Sequence, residues 1–255
     1  MDDVTTEAEA TAAPRAPLRL KEMLPSEIAA AAVNDFRLIL PVGTVEPHGP
    51  HLPIGCDTMI VERMADDLSA EFRVVRAPTM EYGVNHPQGR RNATGAAFFR
   101  RKTLHRALND LLDQWEGDGF REFILLTSHQ YDPHQEAMAT VVTSEARVRV
   151  VDLFAMDLSD LLEGQREAMH GDEVDTSLML HLFPQCVRMD LAQDYMMSRD
   201  ALRRYRRGWL RIPDGSAGSI GRPSLATAEK GRAIYERIRR QVSDRIFRAP
   251  LPEDD

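Results

Sequence analysis

Short apolar runs alternate with longer stretches of helical spacing along most of this chain. Residues 36–42 (FRLILPV) are an apolar run ending at Gly43 and predict a buried strand. Residues 73–78 (RVVRAP), 123–126 (FILL) and 147–154 (RVRVVDLF) predict three more. Between them, residues 58–72 place Ile60, Met64, Leu68 and Phe72 on one face, and residues 102–115 do the same with Leu104, Leu108, Leu111 and Leu112. Further helices are predicted from Pro25, over 133–146 with Pro133 at an early position, around 178–182, and as one long helix over 224–247. Strand–helix alternation implies an α/β fold, a mostly parallel sheet with helices on both faces. Residues 203–219 are basic and then Gly-rich, and read as an excursion from the domain.

Composition narrows the class. At 255 residues and 43% hydrophobic, the chain suits one large domain with a sizeable core, placed at 18–250. Residues 1–17 are acidic and Ala/Thr/Pro-rich, read as a disordered tail, and lack the basic start and apolar stretch of a secretory signal. The net charge of −8 argues against a nucleic-acid partner. No run approaches the ~18 apolar residues of a membrane span. Two cysteines, Cys56 and Cys186, fit a reducing, cytoplasmic setting.

The chemistry gathers in three polar clusters beyond predicted strand ends, where open parallel sheets bind ligands. The first, residues 43–57, holds Glu46, His48, His51 and Asp57; the second, 127–134, holds His129, Gln130, Tyr131, Asp132 and His134. The third, 170–177, follows a predicted short helix and holds His170, Asp172, Glu173 and Asp175. Imidazole with carboxylate and no thiolate is a ligand set for zinc or manganese. Glu46-x-His48 in a Gly/Pro-bounded loop can project two ligands, and Asp57 could bridge two ions.

The string Gly43-Thr44-Val45-Glu46-Pro47-His48-Gly49-Pro50-His51-Leu52-Pro53, with Asp57-Thr58 following, resembles the creatininase (creatinine amidohydrolase) family signature G-S-x-E-Q-H-G-x-H-L-P…D-T. Ala77-Pro78 and Tyr82-Gly83, then His129 at an N-G-H-G-G-N position, then residues 170–177 against H-A-G-E-x-E-T-S, and residues 219–232 near the close, extend the likeness over about residues 20–245. The resemblance implies a three-layer α/β sandwich and two divalent ions per subunit, zinc or manganese, with iron open. It carries Glu46, His48, Asp57 and His129 over as ligands, with Asp57 as bridge. A family glutamate two residues beyond the second-cluster histidine is here Tyr131, and Asp175 could supply the missing oxygen. His170 matches a proton-handling residue, and Glu173 is the other acid–base candidate. The resemblance also implies a homo-oligomer, commonly a hexamer, acting on a small molecule.

Departures alter the expected pocket. Thr127-Ser128 and Gln130-Tyr131-Asp132 replace small residues, and Asn92-Ala93-Thr94-Gly95 is a distorted F-P-G-T. Creatinine itself is therefore not the expected substrate. The expected reaction is hydrolysis of a non-peptide C–N bond in a small, even cyclic, amide. Alternatives are a lactone or cyclic polyol ketone at the same site, with Tyr131, Gln130 and His86 binding substrate, or a degenerate homologue that only binds. His51 reads as structural, His105 as surface, His181 as core, and His134 and Glu136 as a solvated helix face. The arginines at 203–207 read by default as solvated, with a subunit interface or an anionic pocket as alternatives.

Overall fold

The computed structural model describes residues 15–87 and 94–249. The expected tail at 1–17 therefore lies largely outside the described residues, as do Asn92 and Ala93 of the distorted F-P-G-T segment.

Four parallel strands, β1 (Arg37–Pro41), β2 (Val75–Arg76), β3 (Glu122–Thr127) and β4 (Arg147–Asp152), form one sheet in the order β2-β1-β3-β4. Leu38 pairs with Val75 on one side and Phe123 on the other, and Leu125 pairs with Val150. Every β3 residue is buried, and residues 123–126 are a continuous apolar run rather than an alternating one. The two-residue strand period still sorts its side chains. Ile39, Ile124 and Leu126 point into one core, and Leu38, Leu40, Phe123 and Leu125 into the other.

Helices α2 (Cys56–Phe72), α5 (Glu173–Leu182) and α7 (Ala228–Val242) cover the first face through Ile60, Met64, Leu68, Leu178, Ile234 and Ile238. Helices α1 (Pro25–Asn34), α3 (Arg101–Gly117) and α4 (Asp132–Ala139) cover the second through Ala32, Leu104, Leu108, Leu112 and Met138. This is the expected three-layer α/β arrangement. The chain leaves β1 over α2 to reach β2, then returns over α3 to β3 on the opposite side of β1. The reversal of direction puts a crevice at the carboxyl ends of β1 and β3.

Several element boundaries differ from the spacing. Helix α4 stops at Ala139, not 146, because Thr140, Val141, Val142 and Thr143 follow, a β-branched run with poor helix propensity. The Thr140 hydroxyl donates to Glu136 O (2.7 Å), and the amides of Ser144, Glu145 and Ala146 donate to the buried Glu116 carboxylate. The long closing helix is three pieces: a 3-10 turn at Pro223–Leu225, α7, and a wider π turn at Ser243–Phe247. Thr227 starts α7 by accepting the Lys230 amide (3.2 Å). The short helix expected between β4 and His170 is not there; residues 153–169 run in turns and irregular backbone. The basic excursion contains the end of another helix, α6 (Arg199–Arg206), capped by Ser198. Its apolar stripe is only Leu202 and Tyr205, too narrow to read against so many arginines. Among the described residues no helix is long and apolar enough to cross a membrane.

Candidate metal centre

The loop after β1 delivers Glu46 and His48, the first turn of α2 delivers Asp57, and the loop after β3 delivers His129. All four are at most 2% exposed. Their polar atoms converge: His48 Nε2 lies 3.3 Å from Asp57 Oδ1, while His129 Nδ1 lies 3.1 Å from Asp57 Oδ2 and 3.4 Å from Glu46 Oε1. Two more histidines join them. His86 Nδ1 is 3.1 Å and His170 Nδ1 3.6 Å from Glu46 Oε1. Glu46, His48 and His170 form one trio close enough to share a cation, and Glu46, His86 and His129 another.

Backbone carbonyls orient the rings. A carbonyl oxygen only accepts, so the ring nitrogen facing it carries the hydrogen. His48 Nδ1–H donates to Glu46 O, His129 Nε2–H to Val84 O and His170 Nε2–H to Pro47 O, each at 3.0 Å. The other nitrogen of each ring is thereby turned toward the shared carboxylates. Such an anchored ring is the usual setting of a metal-ligating imidazole. The carboxylates are held too. Thr44 Oγ1 donates to Asp57 Oδ2 (2.5 Å), and the His86 amide donates to Glu46 Oε2 (2.9 Å).

The electrostatics record how much negative charge is packed here. Burial pushes the Asp57 carboxyl up, but the charges and hydrogen bonds of His48 and His129 outweigh it and hold it well below the ordinary range. Burial lowers His48, yet Asp57, Asp175 and Glu46 together carry it up to about 10. Burial dominates at His86 and His170, helped by neighbouring imidazoles, and both sit well below the usual value.

Asp175, in the first turn of α5, accepts the Gly171 amide through Oδ2 (2.8 Å), and its buried Oδ1 has no hydrogen-bond partner among the described residues. Burial first, then the charge of Asp172, pushes its carboxyl up to about 8. A buried oxygen without a partner beside His48 is what a further cation ligand would look like before a cation binds. Together with the anchored imidazoles and the absence of thiolate, this donor set fits divalent zinc or manganese.

The remaining candidates divide. Tyr131 packs its ring 4.5 Å from that of His86, inside the cluster. Gln130 is committed at both ends of its amide, accepting from Arg206 Nη2 (3.0 Å) and donating to Asp152 (3.3 Å). Glu173 accepts the Glu163 and Gly164 amides (3.0 Å each) and pairs with Lys230 (2.6 Å), which ties α5 to the 163–164 loop and to α7. That set of partners suits a structural carboxylate, not the acid–base role its position in the third cluster suggested. His51 bonds Thr176 Oγ1 (2.9 Å), as a loop-fixing residue should. His134 is wholly buried, not solvated; its Nδ1 accepts the Val84 amide (3.1 Å) and its Nε2–H donates to Thr127 Oγ1 (3.1 Å). Thr127 thus replaces a small residue to brace the His129 loop, and Ser128 does likewise by donating to Asp57 O (3.0 Å). His105 donates to Thr140 O (2.9 Å) and is only partly exposed, while His181 is half-buried and not in the core. Burial pushes the Cys56 thiol well up, so it is no thiolate ligand.

Two residues were not singled out from sequence. Thr44, inside the signature string, orients Asp57. Tyr205 of α6 is wholly buried and lies flat on His86, ring centroids 4.2 Å apart. Outside α6 a cavity of about 360 Å³ is lined by Arg199, Arg203, Arg206 and Arg207 with Glu167 and Asp132.

The family model for creatininase, described as creatinine amidohydrolase, matches residues 21–246. A 3-dehydro-scyllo-inosose hydrolase of Thermotoga maritima (strain ATCC 43589 / DSM 3109 / JCM 10099 / NBRC 100826 / MSB8) is 26% identical over 84% of this chain and 78% of its own. A creatinine amidohydrolase of Pseudomonas putida is 24% identical over 86% and 91%. A crystal structure of creatininase superposes with a TM-score of 0.76 at 20% identity, over 92% of this chain and 99% of that one, and confirms the fold. Two further creatininase structures of the same fold, with TM-scores of 0.74 and 0.73 at 22% identity, are described as a Zn-Zn type and an Mn form; each covers 90% of this chain and 97% of its own. With the signature residues converged at the mouth of the sheet and the family model spanning nearly the whole chain, this protein belongs to the creatininase family of hydrolases.

Proposed function

We propose that this chain hydrolyses a non-peptide C–N bond in a small neutral amide, cyclic amides included, at a centre holding two divalent ions. The observation that carries the reading is the set of carbonyl-anchored imidazoles turned onto two shared, buried carboxylates. Glu46, Asp57 and His129 would hold one ion, and His48, Asp57 and Asp175 the other, with zinc or manganese as the metal. The Zn-Zn and Mn descriptions of creatininase structures support that choice. Bound there, such ions supply Lewis acidity, which polarises a carbonyl and lowers the pKa of a water molecule.

The chain's own groups do the rest. His170, anchored at Nε2, presents Nδ1 toward Glu46 and the reacting region, where it takes and returns the proton that the departing nitrogen needs. Glu173 acts at a distance as a positioning residue, because its oxygens fix the loop before His170 and the first turn of α5. Burial of the whole cluster excludes bulk water and strengthens each electrostatic contact. The working unit is a homo-oligomer, a reading that rests on the family.

A second reading has specific support. A cyclic polyol ketone would suit the polar, aromatic lining of His86, Tyr131 and Tyr205, and one relative is named a 3-dehydro-scyllo-inosose hydrolase. One experiment separates the two. Protein loaded with zinc or manganese is incubated with cyclic amides, lactones and cyclic polyol ketones, and products are followed by mass spectrometry. Turnover confined to amides upholds the first reading; turnover confined to ketones replaces it with the second. Elemental analysis of His48→Ala should find about one ion fewer per chain, and unchanged stoichiometric metal would remove His48 from the ligands.

A further inference from the structure

Tyr205 takes no part in the proton transfer or ion binding described above, yet its ring packs against His86 and His170. Its side chain is 0% exposed, and its hydroxyl has no hydrogen-bond partner among the described residues. The ring lies parallel to His86, at 6° and 4.2 Å, and edge-on to His170 at 5.9 Å. His86 Nε2 is likewise buried and unpartnered. Native structures rarely leave buried polar atoms unpaired, and two unpaired on stacked rings at one site need a cause. Packing is not that cause. Tyr205 belongs to a small apolar cluster with Leu202, Ile212 and Ile220, where a phenylalanine would fill the same space without a polar atom to desolvate.

We propose that Tyr205 is a substrate-recognition residue, its hydroxyl forming a hydrogen bond to a neutral polar group, amide or hydroxyl, of the bound substrate. The proposal rests on the hydrolytic reading of this site. The stacked imidazole narrows the ligand class. His86 Nδ1 faces a Glu46 oxygen at 3.1 Å and carries the ring hydrogen, so Nε2 presents a lone pair. A lone pair beside a phenol complements a group that both donates and accepts. A carboxylate or phosphate, which only accepts, would meet the Nε2 lone pair unfavourably.

The test compares metal-loaded wild type with Tyr205→Phe, which keeps the ring stacked on His86 and removes only the oxygen. Metal content should match wild type. Without substrate, the variant should melt no lower than wild type and up to about 2–4 °C higher, because an unpaired buried hydroxyl is lost. With the substrate that wild type turns over, kcat/KM should fall about 5–10-fold, carried by KM. A kcat/KM within twofold of wild type overturns the proposal while leaving the hydrolytic reading intact. A melting temperature more than about 2 °C below wild type would make the hydroxyl structural and overturn the proposal whatever the substrate. Wild type inactive on every compound of the panel is the failure of the hydrolytic reading itself.

Discussion

At the scale of single residues, a ring nitrogen or a carboxylate oxygen binds a cation well only when its other end is held. His48, His129 and His170 are held by carbonyls, and Asp57 by the hydroxyl of Thr44. Thr44→Val removes that hydroxyl at nearly constant volume. It should weaken metal affinity about 10–100-fold, as loss of a supporting hydrogen bond does elsewhere. Competition with a chelating indicator measures this, and affinity within threefold of wild type would mean that Thr44 does not set the position of Asp57. The signature motif carries Glu46, His48 and Asp57 as residue types. It does not carry Thr44's role, because a threonine after a strand has many uses.

At the scale of elements, the third cluster depends on how α5 packs on α7. Gly231 of α7 lies so close to the Ser177 carbonyl of α5 that any Cβ there would overlap it. Alongside, Lys230 bridges Glu173, Glu163 and Leu225 O. Lys230→Met leaves the Glu173 charge buried against two backbone amides with no cation. Breaking a buried pair costs about 3–5 kcal/mol. Lys230 is 14% exposed, so the lower part of that range is expected. Urea unfolding checks this, and a loss under about 1 kcal/mol would place the pair among weak surface bridges. The same variant should lower kcat, because the loop before His170 hangs on Glu173. A second element-scale expectation concerns α4. The amides that end its trailing segment donate to Glu116; burial pushes that carboxyl up, but the three hydrogen bonds outweigh it and hold it below the usual carboxylate range. Its stabilising contribution is therefore present above about pH 4.5 and lost as pH falls through the lower folded value. Glu116→Gln should flatten the acid limb of the stability curve, followed by circular dichroism.

At the scale of the whole molecule, the buried charge predicts how metal and pH act together. Without metal, His48 stays protonated up to about 10 and Asp175 up to about 8. For both groups the folded state binds protons more tightly than the unfolded one, so both stabilise the metal-free fold at low pH. Asp175 loses that contribution as pH rises from near its ordinary value of 3.8 to about 8, and His48 between 6.5 and about 10. The lowered imidazoles of His51, His86, His134 and His170 act the other way up to their ordinary value of 6.5, so the metal-free protein loses stability with rising pH only above that value. Cation binding must displace these protons, so its stabilisation should grow over the same interval. Melting temperatures with a chelator and with excess zinc, at pH 6 and pH 8, test both statements. A metal-induced rise that is larger at pH 6 would contradict them.

Much of this protein is determined locally in the chain. The run of β1, the apolar stripes of α2 and α3, and the pairing of histidines with acids are patterns of neighbouring residues, and they specify the α/β class and the ligand types. Tertiary structure decided what depends on residues far apart. It brought His86 to Glu46, separated Asp175 from Glu173 by giving one a free oxygen and the other a lysine, and buried His134 where its helix position suggested water. It also carried Tyr205 across from a basic helix to lie on His86. The physical reason is that periodicity reports which face of an element is apolar. What that face meets, and which polar atoms are left without a partner when it does, is settled only when the elements pack.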